Sequence, residues 1–337
     1  MPRMADVVCF GEVMLRFTTP NFSRFADAPH LDLTFGGAEA NAAVQLAQLG
    51  RSADFVSRLP ENCLGDRCIE ELRGRGVGTA SVLRGGSRMG LYFLEPGVGQ
   101  RPGKVTYDRA NSAAAGMEPG MFDWKKVFVG ARWFHWSGIT PGLSKGCAAL
   151  CMEACEAAKG SGLTVSFDVN FRSKLWSCEA AAAALQPMMR HVDVCIAGES
   201  DAVEILGVKR IEGDEEHRLP ALARALSEKY GFKSVAMTCR SGESASRTTF
   251  QGMIFSAGKP HFSRRHEIAI VDRVGSGDSF TGALIFAMLR GDEPARAIEF
   301  AAAAGAWKHT VYGDWNRCTV AEIESLAAGS GGARIAR

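Results

Sequence analysis

Asp272-Arg273-Val274-Gly275-Ser276-Gly277-Asp278, running straight into the apolar stretch Ser279-Phe280-Thr281-Gly282-Ala283-Leu284-Ile285, is the segment that decides how the rest of the chain is read. Closely spaced glycines at a helix start leave several backbone N–H groups free to converge on one point, and the helix dipole adds partial positive charge there. The segment is a candidate anion hole. A carboxylate set beside such a hole has a use in phosphoryl transfer. A base must accept the proton of the acceptor hydroxyl while N–H donors stabilise charge on the phosphate oxygens. Asp278 fits the base, and Gly275, Ser276 and Gly277 fit the donors. From this heptapeptide alone an Asp capping a Gly-rich turn is equally open. It is not a Walker A loop, because no Gly-Lys-Ser/Thr follows, and it does not sit after the first strand as a dinucleotide-binding turn would.

Working toward the N-terminus, a second glycine cluster reads Gly36-Gly37-Ala38-Glu39-Ala40-Asn41. Paired glycines admit a ligand close to the backbone, and Asn41 offers both a donor and an acceptor to polyol hydroxyls; an ordinary loop-to-helix junction would look the same. Between the two clusters, apolar strand-like runs alternate with amphipathic helical stretches, as expected when crossover helices cover both faces of a parallel sheet. Strands are predicted at Val7 to Phe10, Ala53 to Val56, Trp133 to Trp136, Thr164 to Asp168, Val192 to Ala197 and Ser234 to Thr238. Helices are predicted at Glu39 to Leu49, Lys145 to Lys159, Glu179 to Met189, Asp201 to Leu206, Pro220 to Tyr230, Asp278 to Leu289 and Ala295 to Lys308. Thr319 with Glu322 makes a capping box for a last helix. Met14 to Phe35 and Leu83 to Tyr107 break the rhythm, being long, Gly/Pro-containing and without helical period. They predict a small β lid, assigned to about 12–35 and 83–109. The division expected is one domain over 1–328, lid included, and a flexible Gly/Ala/Arg-rich tail over 329–337.

Composition narrows the function classes. The 337 residues are 46% hydrophobic and 23% charged, enough to bury a large core. With 39 basic against 37 acidic residues, a formal net charge of +2 and no long Lys/Arg block, no nucleic-acid partner is expected. No leader-like N-terminus and no apolar run of membrane-spanning length are seen, so a cytoplasmic protein without a membrane partner is expected. The 10 cysteines are scattered as in a reducing compartment. Cys147, Cys151 and Cys155 fall on one helix face, but without a nearby His or a Cys-x-x-Cys pair they read as packing rather than as metal ligands.

The box Gly36-Gly37-x-x-x-Asn41 and the distant box Gly275-x-Gly277-Asp278, in this order, resemble those of the ribokinase-like sugar kinases of the phosphofructokinase-B type. The resemblance covers essentially the whole chain. It implies a three-layer α/β/α sandwich with a mostly parallel central sheet and a β-sheet lid that closes over the sugar, with ATP as phosphate donor and Mg²⁺ held mainly through phosphates and water. A monovalent cation is also compatible with it.

Finer motifs are similar to the 2-keto-3-deoxygluconate kinase branch: Gly36 to Ala40, Arg101-Pro102, Tyr107 to Ala110, His135-Trp136-Ser137-Gly138-Ile139-Thr140, Phe167 to Arg172 with Leu175-Trp176, and Asp272 to Gly275. This implies phosphorylation at O6 of a sugar acid, which needs cations where a neutral sugar needs hydroxyl partners; Arg offers the planar fork that matches a carboxylate. Arg109 and Arg172 are the candidates, a solvated or salt-bridged Arg being the plain alternative. Gly36, Gly37, Ala40, Asn41, Tyr92, Tyr107, Ile139, Asp278 and Asp314 complete the implied substrate set. On the nucleotide side the resemblance implies Asn170, Arg172, Thr238, Arg240, Gly242, Gly275 and Gly277.

One departure concerns the metal. Where many ribokinase-like enzymes carry Asn-x-x-Glu, this chain reads Gly198-Glu199-Ser200-Asp201. No protein-ligated metal is expected, and Glu199 or Asp201 is left to hold its water shell. Two other readings stay open: a fructokinase- or ribokinase-like enzyme of a neutral sugar, and a sugar-acid sensor without catalysis. Exposed lid strands are edges that need covering, so a homodimer or higher oligomer through the lid is expected.

Overall fold

The computed structural model describes residues 5–329. The expected tail, apart from Gly329, lies outside them. In chain order the elements are β1 (Val7–Phe10), β2 (Met14–Thr18), β3 (Asp32–Gly36), α1 (Ala38–Gln48), β4 (Ala53–Leu59), α2 (Cys63–Gly74), β5 (Val82–Arg84), β6 (Leu91–Glu95), β7 (Lys104–Asp108), α3 (Trp124–Val127), β8 (Trp133–Ser137), α4 (Lys145–Gly160), β9 (Thr164–Asp168), α5 (Cys178–Leu185), β10 (Val194–Ala197), α6 (Glu215–Tyr230), β11 (Ser234–Ser244), β12 (Arg247–Ser256), β13 (Lys259–Phe262), β14 (His266–Ala269), α7 (Ser276–Arg290), α8 (Pro294–Lys308) and α9 (Val320–Ala327).

The main sheet is ten-stranded, in the order β13-β12-β11-β10-β9-β8-β1-β4-β5 with β14 also on β12. From β5 to β11 every pairing is parallel; β12 turns back antiparallel and carries β13 and β14. Strand residues alternate faces, so Val7, Cys9 and Phe55 look one way and Val8, Phe10 and Val56 the other. The first set packs with α1, α2, α7, α8 and α9, the second with α3, α4, α5 and α6. These are the three layers the sequence predicts. Because both faces are covered, β1, β8 and β10 are buried at every position, which is why they read as unbroken apolar runs.

The second sheet is four-stranded, β3-β2-β6-β7. Residue alternation in β2 puts Met14, Arg16 and Thr18 on one face and Leu15 and Phe17 on the other, where Leu15 joins the core and Phe17 packs against it. In β6 and β7 the facing pair Tyr92 and Tyr107 points the same way as Arg16, since Arg16 pairs with Tyr92 and Tyr92 with Tyr107.

Some boundaries differ from expectation. Val82–Arg84 pairs with β4 in the main sheet, so the lid's second segment begins after residue 84. The predicted helix over Glu179 to Met189 is two pieces, because Pro187 starts a 3₁₀ turn over Gln186–His191. Asp201–Ile205 forms a π-type turn rather than an α-helix. Helix α6 begins five residues before Pro220: Asp214 caps it by accepting from His217 N at 2.9 Å, so Pro220 lies inside the helix. Helix α2, capped by Asn62 onto Leu64 N and Gly65 N, has no counterpart among the predicted helices. The expected capping box at Thr319 and Glu322 forms. Cys147, Cys151 and Cys155 are buried along one face of α4, where burial pushes their thiols up, as for small core residues.

Candidate active site

A cleft of about 590 Å³ opens between the lid and the C-terminal ends of the central parallel strands, the usual place for a ligand in an open α/β sheet. Its floor is the start of α7. Gly275 is the N-cap, in the left-handed region at φ 83°, and a Cβ there would lie 2.1 Å from the carbonyl of Asp314. Only glycine can hold this turn. No side chain caps the helix, which leaves its first N–H groups to a ligand. The Ser276 hydroxyl is buried without a hydrogen-bond partner among the described residues, as fits an oxygen-rich anion in the loop.

Asp278 stands in the first turn of α7 and is not the N-cap, so the capping alternative fails on geometry. Its Oδ2 accepts from Asn41 Nδ2 at 2.6 Å across 237 residues of sequence. Burial pushes its carboxyl up to about 6, an effect reduced by the Asn41 bond and by nearby Arg172. That is near the range in which a carboxylate base works at neutral pH. Asn41 Oδ1 in turn accepts from Gly37 N at 3.2 Å. A Cβ on Gly36 would lie 2.0 Å from Asp314 Oδ2, and one on Gly37 would lie 2.0 Å from the Glu12 carbonyl. The paired glycines thus let α1, β1's exit and the 311–314 turn meet.

Gly36, Gly37, Asn41, Tyr92, Tyr107, Arg109, Ile139, Asn170, Arg172, Thr238, Arg240, Gly275, Ser276, Gly277, Asp278 and Asp314 all line this cleft. Two predicted residues do not. Ala40 faces the core from α1, and Gly242 borders a neighbouring cavity of about 670 Å³ beyond Arg273.

The two arginines differ. Arg109 is claimed by the buried Glu12, whose Oε2 accepts from its Nε at 2.9 Å and also from its Nη2. Arg172 forms no ion pair among the described residues and donates only to the carbonyl of Phe171, at 3.2 Å. Asp314 is also engaged, accepting from Tyr92 Oη at 2.5 Å and Arg16 Nη1 at 2.7 Å. Asn170 sits at φ 42°, a conformation Asn tolerates, and its N–H donates to Asp168 Oδ1 at 3.1 Å.

Several residues of the site were missed in the sequence. Asp168 ends β9 in the cleft, and burial, followed by its neighbours Asp278 and Asp201, pushes it up to about 8. Glu39, in the first turn of α1, is buried. Its Oε1 accepts from Ser137 N (3.1 Å), Ser137 Oγ (2.7 Å) and Thr140 Oγ1 (2.9 Å), and burial pushes it up to about 7. Arg16 is buried between Asp272 at 2.5 Å and Asp314 at 2.7 Å. As for a metal, Glu199 is drawn off to Arg218 at 2.8 Å. Asp201 Oδ2 accepts from Gly198 N at 3.0 Å. Among the described residues no three His, Cys, Asp or Glu side chains are grouped to hold an ion.

An anion hole, a half-buried carboxylate at its mouth and a polar lid over a cleft define a phosphotransferase site. The sequence profile of the pfkB family of carbohydrate kinases matches residues 4–319, and the chain belongs to that family. It is similar to the 2-dehydro-3-deoxygluconokinase of Thermotoga maritima, whose crystal structure superposes with a TM-score of 0.94 at 47% identity over 96% of this chain and 99% of that one. It is 36% identical to the 2-dehydro-3-deoxygalactonokinase of Haloferax volcanii over 96% of this chain and 97% of the relative. A 2-dehydro-3-deoxygluconokinase of Bacillus subtilis is 27% identical over 92% of this chain and 91% of its own length. The ribokinase-like fold expected from the sequence is the fold found.

Proposed function

We propose that this carbohydrate kinase transfers the γ-phosphate of ATP to O6 of 2-keto-3-deoxygluconate, giving 2-keto-3-deoxy-6-phosphogluconate. The observation that carries the sugar-acid reading is Arg172, a guanidinium in the cleft that forms no ion pair among the described residues. A neutral sugar leaves this group only the nucleotide phosphates to pair with, whereas an acid gives it a bidentate partner. The names of the similar kinases agree.

In the reaction Asp278 accepts the O6 proton as O6 bonds to the γ-phosphorus and the bond to the leaving ADP oxygen breaks. The N–H groups of Gly275 to Gly277 hold the charge on the transferring phosphoryl oxygens. Asn41 keeps the carboxylate aimed and ionised. Tyr92 and Tyr107, with rings 6.0 Å apart, roof the acceptor end and exclude water. Arg240, Asn170 and Thr238 lie where the nucleotide phosphates enter. Mg²⁺ bound with the nucleotide would neutralise its phosphates, and Asp168 and Asp201, both lining the cleft, are the carboxylates that would hold its waters.

The lid face opposite Tyr92 packs in part on the core through Leu15 and Phe35, and at its far end carries a stacked Phe17–Phe93 pair, rings 5.2 Å apart, beside the exposed Phe25. A second copy's lid is the proposed cover, and sedimentation as a monomer at working concentration would remove that proposal. The substrate reading is tested by coupled ADP release with the gluconate- and galactonate-derived keto acids, fructose and ribose. Turnover on either acid at least about tenfold above both neutral sugars supports it. Equal turnover on fructose or ribose rejects it, and acid binding without ADP release favours a sensor.

A further inference from the structure

Lys308, the last residue of α8, is wholly buried, and nothing in the reaction above uses it. Its Nζ donates to the carbonyl of Val311 at 2.9 Å and to that of Asp272 at 3.3 Å. Asp272 opens the anion loop, and Val311 opens the turn that carries Asp314. The backbone carbonyl of the next residue, His309, accepts from Val271 N at 2.8 Å and Asp272 N at 3.1 Å. The end of α8 is thus fastened to the back of the loop whose front faces the cleft.

Charge counting shows why an ammonium sits there. Around the loop lie two buried carboxylates, Asp272 and Asp314, and two buried cations, Arg16 and Lys308. Arg16 binds both carboxylates, and Asp272 also accepts from Val274 N and Gly313 N, each at 3.0 Å. Among the described residues Lys308 makes no hydrogen bond to a carboxylate, and it supplies its charge through the two carbonyls. Without it the cluster is one negative charge in excess, directly behind a loop that must receive a polyphosphate. A methionine would fill the same volume without the desolvation of a buried charge, so packing alone does not account for the ammonium. Burial lowers the Lys308 pKa; Asp272 and Asp314 act against that, Arg16 with it, and Asp278 against it from further off.

We propose that Lys308 is the built-in cation of the phosphate site, a positioning residue that ties the backs of the anion loop and the 311–314 turn together and balances their charge. The carbonyls that back the loop are taken by a tethered ammonium, so the residues there do not fit a loose monovalent cation, which the resemblance had allowed. This rests on the assignment of the 275–277 N–H groups as the phosphate site.

The wild-type enzyme is assayed in potassium, sodium and tetramethylammonium chloride at equal ionic strength, and ATP binding is read by calorimetry without acceptor, beside Lys308→Met and Lys308→Ala. Rates within about twofold across the three salts are expected, and a loss of about tenfold or more in tetramethylammonium overturns the proposal. In Lys308→Met, kcat falls at least about tenfold and ATP binding weakens, while the acceptor KM moves less than about threefold; in Lys308→Ala, added ammonium restores part of kcat. A folded Lys308→Met with wild-type kcat and ATP affinity overturns it. Circular dichroism and thermal unfolding show whether the variants fold, and if neither does the salt comparison decides. Failure of the sugar-acid reading is seen separately, as wild-type inactivity on those acceptors with ATP binding intact.

Discussion

Asn41 Nδ2 meets Asp278 Oδ2 at 2.6 Å, so the two glycine boxes at opposite ends of the chain are one site joined by a single hydrogen bond. The bond favours the ionised carboxylate, opposing the burial that pushes it up to about 6. Asp278 acts as a base only when ionised, so kcat/KM declines as pH falls through that value. Asn41→Ala removes the opposing donor and moves this acid limb to higher pH, with activity partly recovered at pH 8. Asp278→Asn lowers kcat at least about a thousandfold at every pH and changes acceptor binding little. Steady-state pH profiles of the three proteins check both, and an unmoved limb in Asn41→Ala refutes the coupling.

Arg172 and Arg109 are predicted to fail differently. Arg172 has no ion pair among the described residues, so Arg172→Ala removes a charged bond to substrate. The expected loss is about 1.5–3 kcal/mol in kcat/KM for the acid, with turnover of neutral sugars reduced clearly less. Arg109 shields the buried Glu12, whose Oε1 also accepts from Ser112 Oγ at 2.7 Å. Arg109→Ala strands that carboxylate, so it lowers thermal stability and impairs acid and neutral acceptors alike. Calorimetry and the acceptor screen separate the two patterns, and equal profiles would refute the assignment.

How much of this the sequence shows depends on whether the signal is local. Gly275, Gly277 and Asp278 stand within one turn, and Asn170 and Arg172 within one loop, so short motifs reveal them. The lid is legible because Met14 to Phe35 and Leu83 to Tyr107 lack helical period. Arg16 is a different case: one charge in an apolar strand, its partners 256 and 298 residues away. Glu39 and Lys308 look like ordinary polar positions of helices until packing buries them. Alternation and periodicity record which way a side chain faces, but not what it meets. The same limit hides the engagement of Arg109 by Glu12, and only that contact separates the two arginines.

Gly275→Ala tests the loop's geometry. The position needs φ 83°, which is strained for alanine by about 1–3 kcal/mol, and the new Cβ would press on the Asp314 carbonyl. Relieving that contact moves the N–H groups off the phosphate, so activity falls further than stability. The expected outcome is a folded protein with kcat reduced at least about a hundredfold and weaker ATP binding, read by turnover and calorimetry.

Stability should carry an alkaline signature. Asp168 is raised from 3.8 to about 8 and Glu39 from 4.5 to about 7, both by burial. A carboxyl with a raised folded pKa holds its proton when folded and releases it when unfolded. Its contribution is full below the unfolded value and is lost as pH rises through the folded one. Buried His135 and His309, lowered from 6.5 to about 4, work the other way, and their contribution is lost as pH falls from 6.5 toward 4. Above pH 6.5 the histidines are past their midpoint and add less with each further step, so the carboxyls set the sign, and thiols raised by burial add to the decline near pH 8.5. The substrate-free protein should lose on the order of 2 kcal/mol between pH 6.5 and 8.5, a few degrees in Tm. Asp168→Asn keeps the acceptor for Asn170 N and cannot ionise, so it should remove most of this decline, and Glu39→Gln a smaller part. Calorimetric scans across that range measure it, and a wild-type Tm that stays level or rises toward pH 8.5 would contradict the reading of Asp168 as a carboxyl that folding keeps protonated.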